Sequence, residues 1–191
     1  MLMANLITRA EYKAYAGISS TNQDTEIDTL IPKVSELVKS YCRRTFIDFA
    51  NNAKIETFNG GTNKYYLQEY PLLTMLSLEY STDYGQSYNA LQEFVDFVAD
   101  VTDNSIVSLK PGGFPSAING YSVTYTAGYN AVPEDLKLAV MDLITYYRKN
   151  DGAIHSTKAP GTNAVQIEYI STTTLPAHIR RVLDLYVADY T

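Results

Sequence analysis

The fold is decided by residues 121–148, YSVTYTAGYNAVPEDLKLAVMDLITYYR, which contain a strand and a helix in succession. Tyr121–Ala127 alternates apolar and polar residues, which is typical of a strand with one buried face. Gly128 interrupts the alternation. Pro133 and the two acidic residues after it then begin a helix whose apolar residues recur at intervals of three and four. A β section therefore passes into a helical section at this point.

Further strands are predicted on the amino-terminal side of this stretch. They cover residues 54–58, 64–67, 73–80, 94–100 and 105–109. The first two are predicted to form a hairpin around the glycine-rich turn Asn59–Asn63. Because the connections are too short for helical crossovers, we expect an antiparallel sheet.

Helices are predicted before the first strand. Thr8 and Glu11 have the spacing of a capping box, and Gly17 can end the short helix that follows. The clearest helical period lies in Ile27–Tyr41, where Pro32 predicts a kink or a helix that is well formed only from about Leu30. The two arginines after this helix, at positions 43 and 44, are expected to complement its carboxyl-terminal dipole.

The sequence thus predicts one α+β domain with a helical core and an inserted antiparallel β subdomain. The core has two long helices and a short helix near each terminus. A connection rich in Gly, Ser, Thr and Pro is expected to be flexible and to lead to the terminal helix. The predicted bounds are 1–191 for the domain, 1–53 and 128–191 for the helical core, 54–127 for the β subdomain, 151–163 for the flexible connection and 176–189 for the terminal helix.

Composition excludes several classes of function. The 191 residues are 46% hydrophobic and 19% charged, enough to bury a core. A net charge of −6 disfavours tight binding to nucleic acid, which requires clustered Lys and Arg. The single cysteine, Cys42, falls in an apolar helical stripe and is expected to be a buried hydrophobe. Neither a signal peptide nor a membrane span is indicated.

No catalytic residue, cofactor or metal is predicted. His155 and His178 lie in no nucleophile or metal-ligand motif. Asp96, Asp100 and Asp103 are close in sequence but lack the ligand series of a calcium loop. The 17 tyrosines, with no tryptophan, suit half-buried strands or protein interfaces.

Four segments carry a resemblance when they are taken in order. They are Val38–Phe46; Tyr70–Leu78 with the turn Asp83–Gly85; Phe114-Pro115 leading to Tyr121–Tyr129 and Val132–Ala139; and Leu175-Pro176 with the helix after it. In this order and spacing they resemble the head-to-tail connector (adaptor, head-completion) family of long-tailed bacteriophages, in its longer form with a β insertion.

The resemblance implies a structural protein of the virion neck and no enzyme. It implies a ring, usually a dodecamer, assembled in the host cytoplasm beneath the portal protein and followed by a stopper or tail-completion protein. Double-stranded DNA would pass through the ring without tight binding. An acidic lumen fits this role, since a charge of −6 in about twelve copies amounts to about −70. The alternatives are another neck or tail-completion protein, and a tyrosine-rich module that binds sugars.

Family behaviour implies that the carboxyl-terminal segment engages the portal. In this sequence the segment carries Arg180, Arg181, Leu183, Tyr186 and Tyr190, and Arg and aromatic side chains are common interface anchors. The alternative is that Leu183 and Tyr186 only pack the terminal helix onto its own core.

Overall fold

The computed structural model describes residues 4–149, 154–158, 165–169 and 175–188. The α+β prediction is confirmed, since helices flank a set of antiparallel strands. The elements are α1 Arg9–Ala16, α2 Asp24–Cys42, β1 Lys54–Phe58, β2 Lys64–Tyr66, β3 Leu72–Tyr80, β4 Asn89–Ala90, β5 Phe97–Asp100, β6 Ser105–Ser108, β7 Tyr121–Ala127, α3 Glu134–Lys149, β8 Ile154–Lys158, β9 Val165–Tyr169 and α4 Ala177–Asp184.

The chain divides into two compact units. The β unit contains Arg43–Val132 with short terminal pieces, and the helical unit is assembled from Asn5–Cys42 and Pro133–Val187. The β unit begins at Arg43, upstream of the predicted start of the insertion at residue 54, because the segment after α2 packs with the strands rather than with the helices.

The β unit holds two antiparallel sheets that share one core. One sheet has the order β1-β7-β3-β4, and the other has the order β2-β6-β5. Strand β7 is central to the larger sheet and has the predicted bounds. Alternate residues of β7 are buried together with Phe58, Phe97 and Ile106, so the two sheets are covered by the same apolar cluster.

The predicted hairpin between residues 54–58 and 64–67 is wrong, because its strands belong to different sheets. β1 pairs with β7, and β2 pairs with β6. The glycine-rich segment between them packs instead on the loop before β7, where Gly60 N–H donates to the carbonyl of Ala117 at 3.2 Å. A Cβ at Gly60 would lie 1.7 Å from the carbonyl oxygen of Pro115. Close approach of two loops therefore requires this glycine.

The arginines after α2 differ from the expectation. Arg43 is exposed with a φ of +57°, whereas Arg44 is buried. The Arg44 guanidinium lies 3.8 Å from the ring centroid of Tyr70, with the rings of Phe46 and Tyr129 at 5.1 and 5.3 Å. Cation–π contacts at a desolvated site of this kind stabilise the fold more than an exposed charge near a helix end does.

Two of the buried carboxylates in the β unit, Glu56 and Glu69, are satisfied internally. Glu69 accepts from the backbone N–H groups of residues 45 and 46 at 2.9 and 3.1 Å. Glu56 accepts from the Tyr125 hydroxyl at 2.5 Å and pairs with Lys54 at 2.8 Å. Because each carboxylate has donors, the cost of its burial is offset.

Alkaline pH is expected to destabilise the β unit through its buried tyrosines. Burial raises the pKa of Tyr121 to about 12, and burial with the nearby Glu56 raises the pKa of Tyr125 above its ordinary value of 10.0. A raised folded-state pKa stabilises the fold below the unfolded pKa, and this contribution is lost as pH rises through the folded pKa. The urea midpoint should therefore fall as pH rises from 10 towards 12. Circular dichroism measures the unfolding, and phenolate absorbance measures the ionisation of tyrosine.

The Tyr121→Phe variant should lose less stability than the wild type over the same pH range. The exposed Tyr84→Phe change is the matched control and should leave the fall unchanged. A urea midpoint that stays constant across this range would contradict the assignment of a buried phenol as the titrating group.

Local signals set the first helix of the helical unit. The Thr8 hydroxyl accepts from Glu11 N–H at 3.2 Å, and the Glu11 carboxylate accepts from Thr8 N–H at 2.7 Å. Gly17 ends α1 with a φ of +66°. The predicted capping box and stop are therefore confirmed. Helix α2 runs without a break from Asp24, so the alternative of a helix well formed only from about residue 30 is wrong.

Helix α3 packs against the other three helices. Its apolar stripe is buried as predicted, and ion pairs join its polar sides to α1 and α2: Lys137 to Glu11 at 3.0 Å and Arg148 to Glu26 at 3.0 Å. None of the helices in the described part of the chain is long and apolar enough to span a membrane.

Part of the connection between α3 and α4 forms a strand. Ile154–Lys158 forms β8, which pairs antiparallel with β9, and the Ile, Thr and Val residues of these segments favour strands. The rest of the predicted flexible connection, residues 151–153 and 159–163, lies outside the described residues. Helix α4 is shorter than predicted because the N–H groups of residues 185 and 186 bond to carbonyls three residues back, which tightens and ends its last turn.

Candidate partner interface

Helix α4 is amphipathic and packs with its apolar side on α2 and α3. Ile179 and Leu183 are fully buried. The Cys42 thiol, also fully buried as predicted, donates to the carbonyl of Leu183 at 3.6 Å. Leu183, named from the sequence as an interface residue, therefore lies in the core of the helical unit.

The opposite side of α4 is open to solvent. Arg180 and Arg181 are both exposed there. Leu185, four residues after Arg181, is 77% exposed. Leu185 directly follows the last residue of α4, so an exposed cation and an exposed large apolar side chain lie close together in sequence at the carboxyl-terminal end of this helix.

Arg180 takes part in a small polar cluster with the end of α2. The Tyr41 hydroxyl donates to Asp184 Oδ1. That hydrogen bond raises the pKa of Tyr41, and a hydrogen bond with Arg180 opposes the rise. Arg180 is therefore partly held in place.

Tyr186 is half-buried, and its hydroxyl donates to Asp135 Oδ1 at 2.6 Å. This bond ties the end of the α4 segment to the first turn of α3. Tyr186 thus contributes to internal packing and also keeps part of its ring accessible. Tyr190 lies outside the described residues.

Of the predicted interface residues in this segment, Arg180 and Arg181 are exposed and Tyr186 is half-buried. Leu183 is buried and is not part of the surface. Sequence reasoning missed Leu185, which is the exposed apolar residue of this segment. The available signal was its position: Leu185 falls outside the stripe that continues from Ile179 to Leu183, so a leucine there is not explained by the core.

A groove of about 540 Å³ in the helical unit is lined by α1, the connection from α1 to α2, and α3. It is lined by Tyr12, Tyr15, Ala16, Ile18, Gln23, Thr145, Arg148 and Lys149. Arg148 donates to Gln23 at 2.8 Å and to Glu26 at 3.0 Å, and Tyr15 donates to Asp142 at 2.5 Å. These hydrogen bonds hold the helices together, so the polar side chains of the groove have a structural role that requires no ligand.

A second groove, of about 580 Å³, lies on the β unit beside β2. It bears on the sugar-binding alternative because Tyr65 and Tyr66 both line it. The Tyr65 ring, however, is stacked on Phe58 with centroids 3.9 Å apart, so one of its faces is occupied. Tyr66 is exposed, but the Lys64 ammonium lies 5.1 Å from its ring centroid, so the two tyrosines make a weak platform for a sugar.

The acidic residues considered for chemistry have separate structural partners. Asp96 accepts from Gln92 N–H and pairs with Lys110 at 2.7 Å. Asp100 accepts from two backbone N–H groups in its own turn, and Asp103 pairs with Lys64. Among the residues that the structure describes, no group of three or more His, Cys, Asp and Glu side chains could hold a metal.

Comparison with known proteins connects this architecture to tailed phages. The family model of the head completion protein matches residues 5–188. The head completion protein of Escherichia phage T5 is 24% identical over 182 residues, covering 95% of this chain and 97% of its own length.

Solved structures share the fold. A chain in the neck of an empty gene transfer agent particle, determined with C6 symmetry, superimposes with a TM-score of 0.62 and 13% identity, covering 97% of this chain and 91% of its own. A chain in the neck of the native particle, determined with C12 symmetry, gives a TM-score of 0.57 and 12% identity, covering 100% and 97%. Because the family model matches nearly the whole length of this chain, the chain belongs to the head completion protein family.

Proposed function

We propose that this protein is a structural component of the neck of a tailed phage particle, where it joins the DNA-filled head to the next neck or tail protein. The observation that carries the proposal is the family match over residues 5–188. The T5 relative bears the same name, and the gene transfer agent chains with this fold are neck components. The role is mechanical and requires no reaction.

The protein is proposed to act as a ring of twelve copies beneath the portal protein, with a stopper or tail-completion protein on its other side. Twelvefold symmetry in the neck of the native gene transfer agent particle supports this number. The chain would be assembled in the host cytoplasm and remain in the virion neck. DNA would pass through the centre of the ring.

The charge distribution fits passage of DNA without binding. Arg43–Val132 in the β unit contains nine acidic and five basic side chains, so the acidic excess of the chain lies mainly in this unit. The negative charges of the protein and of the DNA phosphates repel each other, which disfavours close contact between the two. Three of the nine acids, Asp48, Glu56 and Glu69, are buried and accept hydrogen bonds, so they contribute little to the surface field.

The exposed side of α4 is proposed as the surface that meets the portal. It offers Arg180, Arg181 and Leu185 together, with Tyr186 at its margin. Arginine and aromatic residues commonly dominate interface energetics, and Leu185 supplies apolar area. Leu183 supports the surface from inside by fixing α4 on α2 and α3.

The direct test mixes the purified chain with DNA-filled heads that carry the portal but lack this protein. The expected result is a ring of this chain bound at the portal vertex, seen by electron microscopy, and heads that then accept tails. Heads that lack the portal serve as the control and should bind no ring. A chain that binds tails but not the portal vertex would favour a tail-completion protein instead.

A further inference from the structure

The chain contains two Asn-Gly pairs, at residues 59–60 and 119–120, and this dipeptide is the most reactive in spontaneous deamidation. The backbone nitrogen of the glycine loses its proton to hydroxide and attacks the side-chain carbonyl carbon of the asparagine. A C–N bond forms, the side-chain nitrogen takes up a proton from water, and ammonia leaves. Water then opens the resulting succinimide to aspartate or isoaspartate. Glycine favours the attack because it has no Cβ to hinder its nitrogen.

Both pairs are held in the fold by a single carbonyl group. The N–H groups of Gly60 and Gly120 donate to the carbonyl oxygen of Ala117 at 3.2 and 3.3 Å. Closure of the succinimide replaces the hydrogen of the glycine N–H with a carbon atom, so each reaction must first break the bond to Ala117. The fold therefore slows both reactions relative to the unfolded chain, in which these bonds are absent.

Further contacts restrain Asn59. Its Oδ1 accepts a hydrogen bond from Asn119 N–H at 2.8 Å, which fixes the side chain that the Gly60 nitrogen would have to attack. The Gly60 backbone is also enclosed, since a Cβ there would lie 1.7 Å from the carbonyl oxygen of Pro115 and 2.9 Å from the ring of Tyr121. Gly60 thus has little freedom to move away from its acceptor. Reaction at this pair requires two hydrogen bonds to break in a crowded place.

Asn119 lacks the restraint on its side chain. The residue is exposed, and its carboxamide makes no hydrogen bond to any residue that the structure describes. Only its backbone is bonded, through the N–H to Asn59 and through the carbonyl, which accepts from the Tyr88 hydroxyl at 3.2 Å. The bond from Gly120 to Ala117 closes the turn 117–120, whose two central residues are exposed. This turn can open locally and allow the carboxamide to meet the Gly120 nitrogen.

We propose that Asn119 is a site of spontaneous deamidation in the folded protein, whereas Asn59 is protected by its contacts with the loop before β7. The product places a carboxylate on an exposed turn of the β unit. In its isoaspartate form it also adds a methylene group to the backbone between residues 119 and 120. The converted fraction at Asn119 therefore rises with the age of the folded chain.

The test incubates the full chain at mildly alkaline pH and follows both pairs by peptide mapping with mass spectrometry. In the folded protein, conversion at Asn119 should be at least about tenfold faster than at Asn59, because reaction at Asn59 breaks one hydrogen bond more. The same chain in urea is the matched control and should convert the two pairs at similar rates. Asn59 also serves as an internal control, since global unfolding exposes both pairs equally.

The Asn119→Gln variant checks the assignment, because glutamine forms the corresponding larger ring much more slowly. It should lose the product at position 119 and keep the wild-type rate at Asn59. The proposal is overturned if the folded protein converts both pairs equally or converts Asn59 faster. It is also overturned if Asn119 stays intact in the folded protein after the urea sample has converted completely, or if the variant still gives the product assigned to Asn119.

Discussion

The double variant Arg181→Glu/Leu185→Asp is expected to lose docking to DNA-filled heads by about a hundredfold or more. Both side chains are exposed at the carboxyl-terminal end of α4, and the changes reverse a charge and remove an apolar anchor. Loss of two central interface residues commonly costs about 3 kcal/mol or more of binding energy. Pelleting of the chain with portal-containing heads measures the affinity, and the titre of infectious particles measures the consequence.

The fold should survive these changes, because surface substitutions away from structural contacts alter stability by only about 0.5 kcal/mol. The matched control is Lys149→Glu/Leu138→Asp, which makes equivalent changes on exposed positions of α3. That variant should dock like the wild type. Wild-type docking by Arg181→Glu/Leu185→Asp would show that the portal meets another part of the chain.

The Gly128→Ala variant is expected to lower the free energy of unfolding by about 3–5 kcal/mol. Gly128 has a φ of +109°, and a Cβ there would lie 2.2 Å from the carbonyl oxygen of Phe46. The adjacent backbone is fixed on both sides, since Gly128 N–H donates to Pro71 at 2.8 Å and Tyr129 N–H donates to Phe46 at 2.7 Å. The clash cannot be relieved without breaking these bonds, which urea or thermal unfolding would detect.

The Gly112→Ala variant distinguishes the two causes of this loss, which are backbone strain at a positive φ and the clash of the added Cβ. Gly112 also has a positive φ, +85°, but a Cβ there meets no atom within 4 Å. Its substitution should cost about 1–2 kcal/mol, the price of backbone strain alone. Equal losses in the two variants would mean that close approach to the residue 46 carbonyl does not constrain Gly128.

The sequence predicted those elements whose signals are local. Helix α1 has its capping box and glycine stop within the segment itself, and β7 has a complete alternation, so both bounds are correct. The pairing of β1 with β7 could not be found in this way, because these strands are far apart in sequence while residues 59–63 resemble a turn. Non-local pairing overrode the local turn signal.

The candidate interface residues were named from the resemblance, and the sequence did not show which of them are exposed. Composition alone cannot decide which of two leucines near the end of a short helix faces the core. Leu183 is buried and Leu185 is exposed because α4 packs on two helices from distant parts of the chain.

The position of β7 has a consequence for synthesis of the chain. β7 is the last of the strands in the larger sheet to leave the ribosome, yet it supplies the pairing for both β1 and β3. Helices α1 and α2 likewise lack their packing partner α3, which is made later still. A nascent chain that stops before residue 121 therefore holds two unfinished units with apolar faces uncovered, and is prone to aggregation and proteolysis until β7 and α3 have been made.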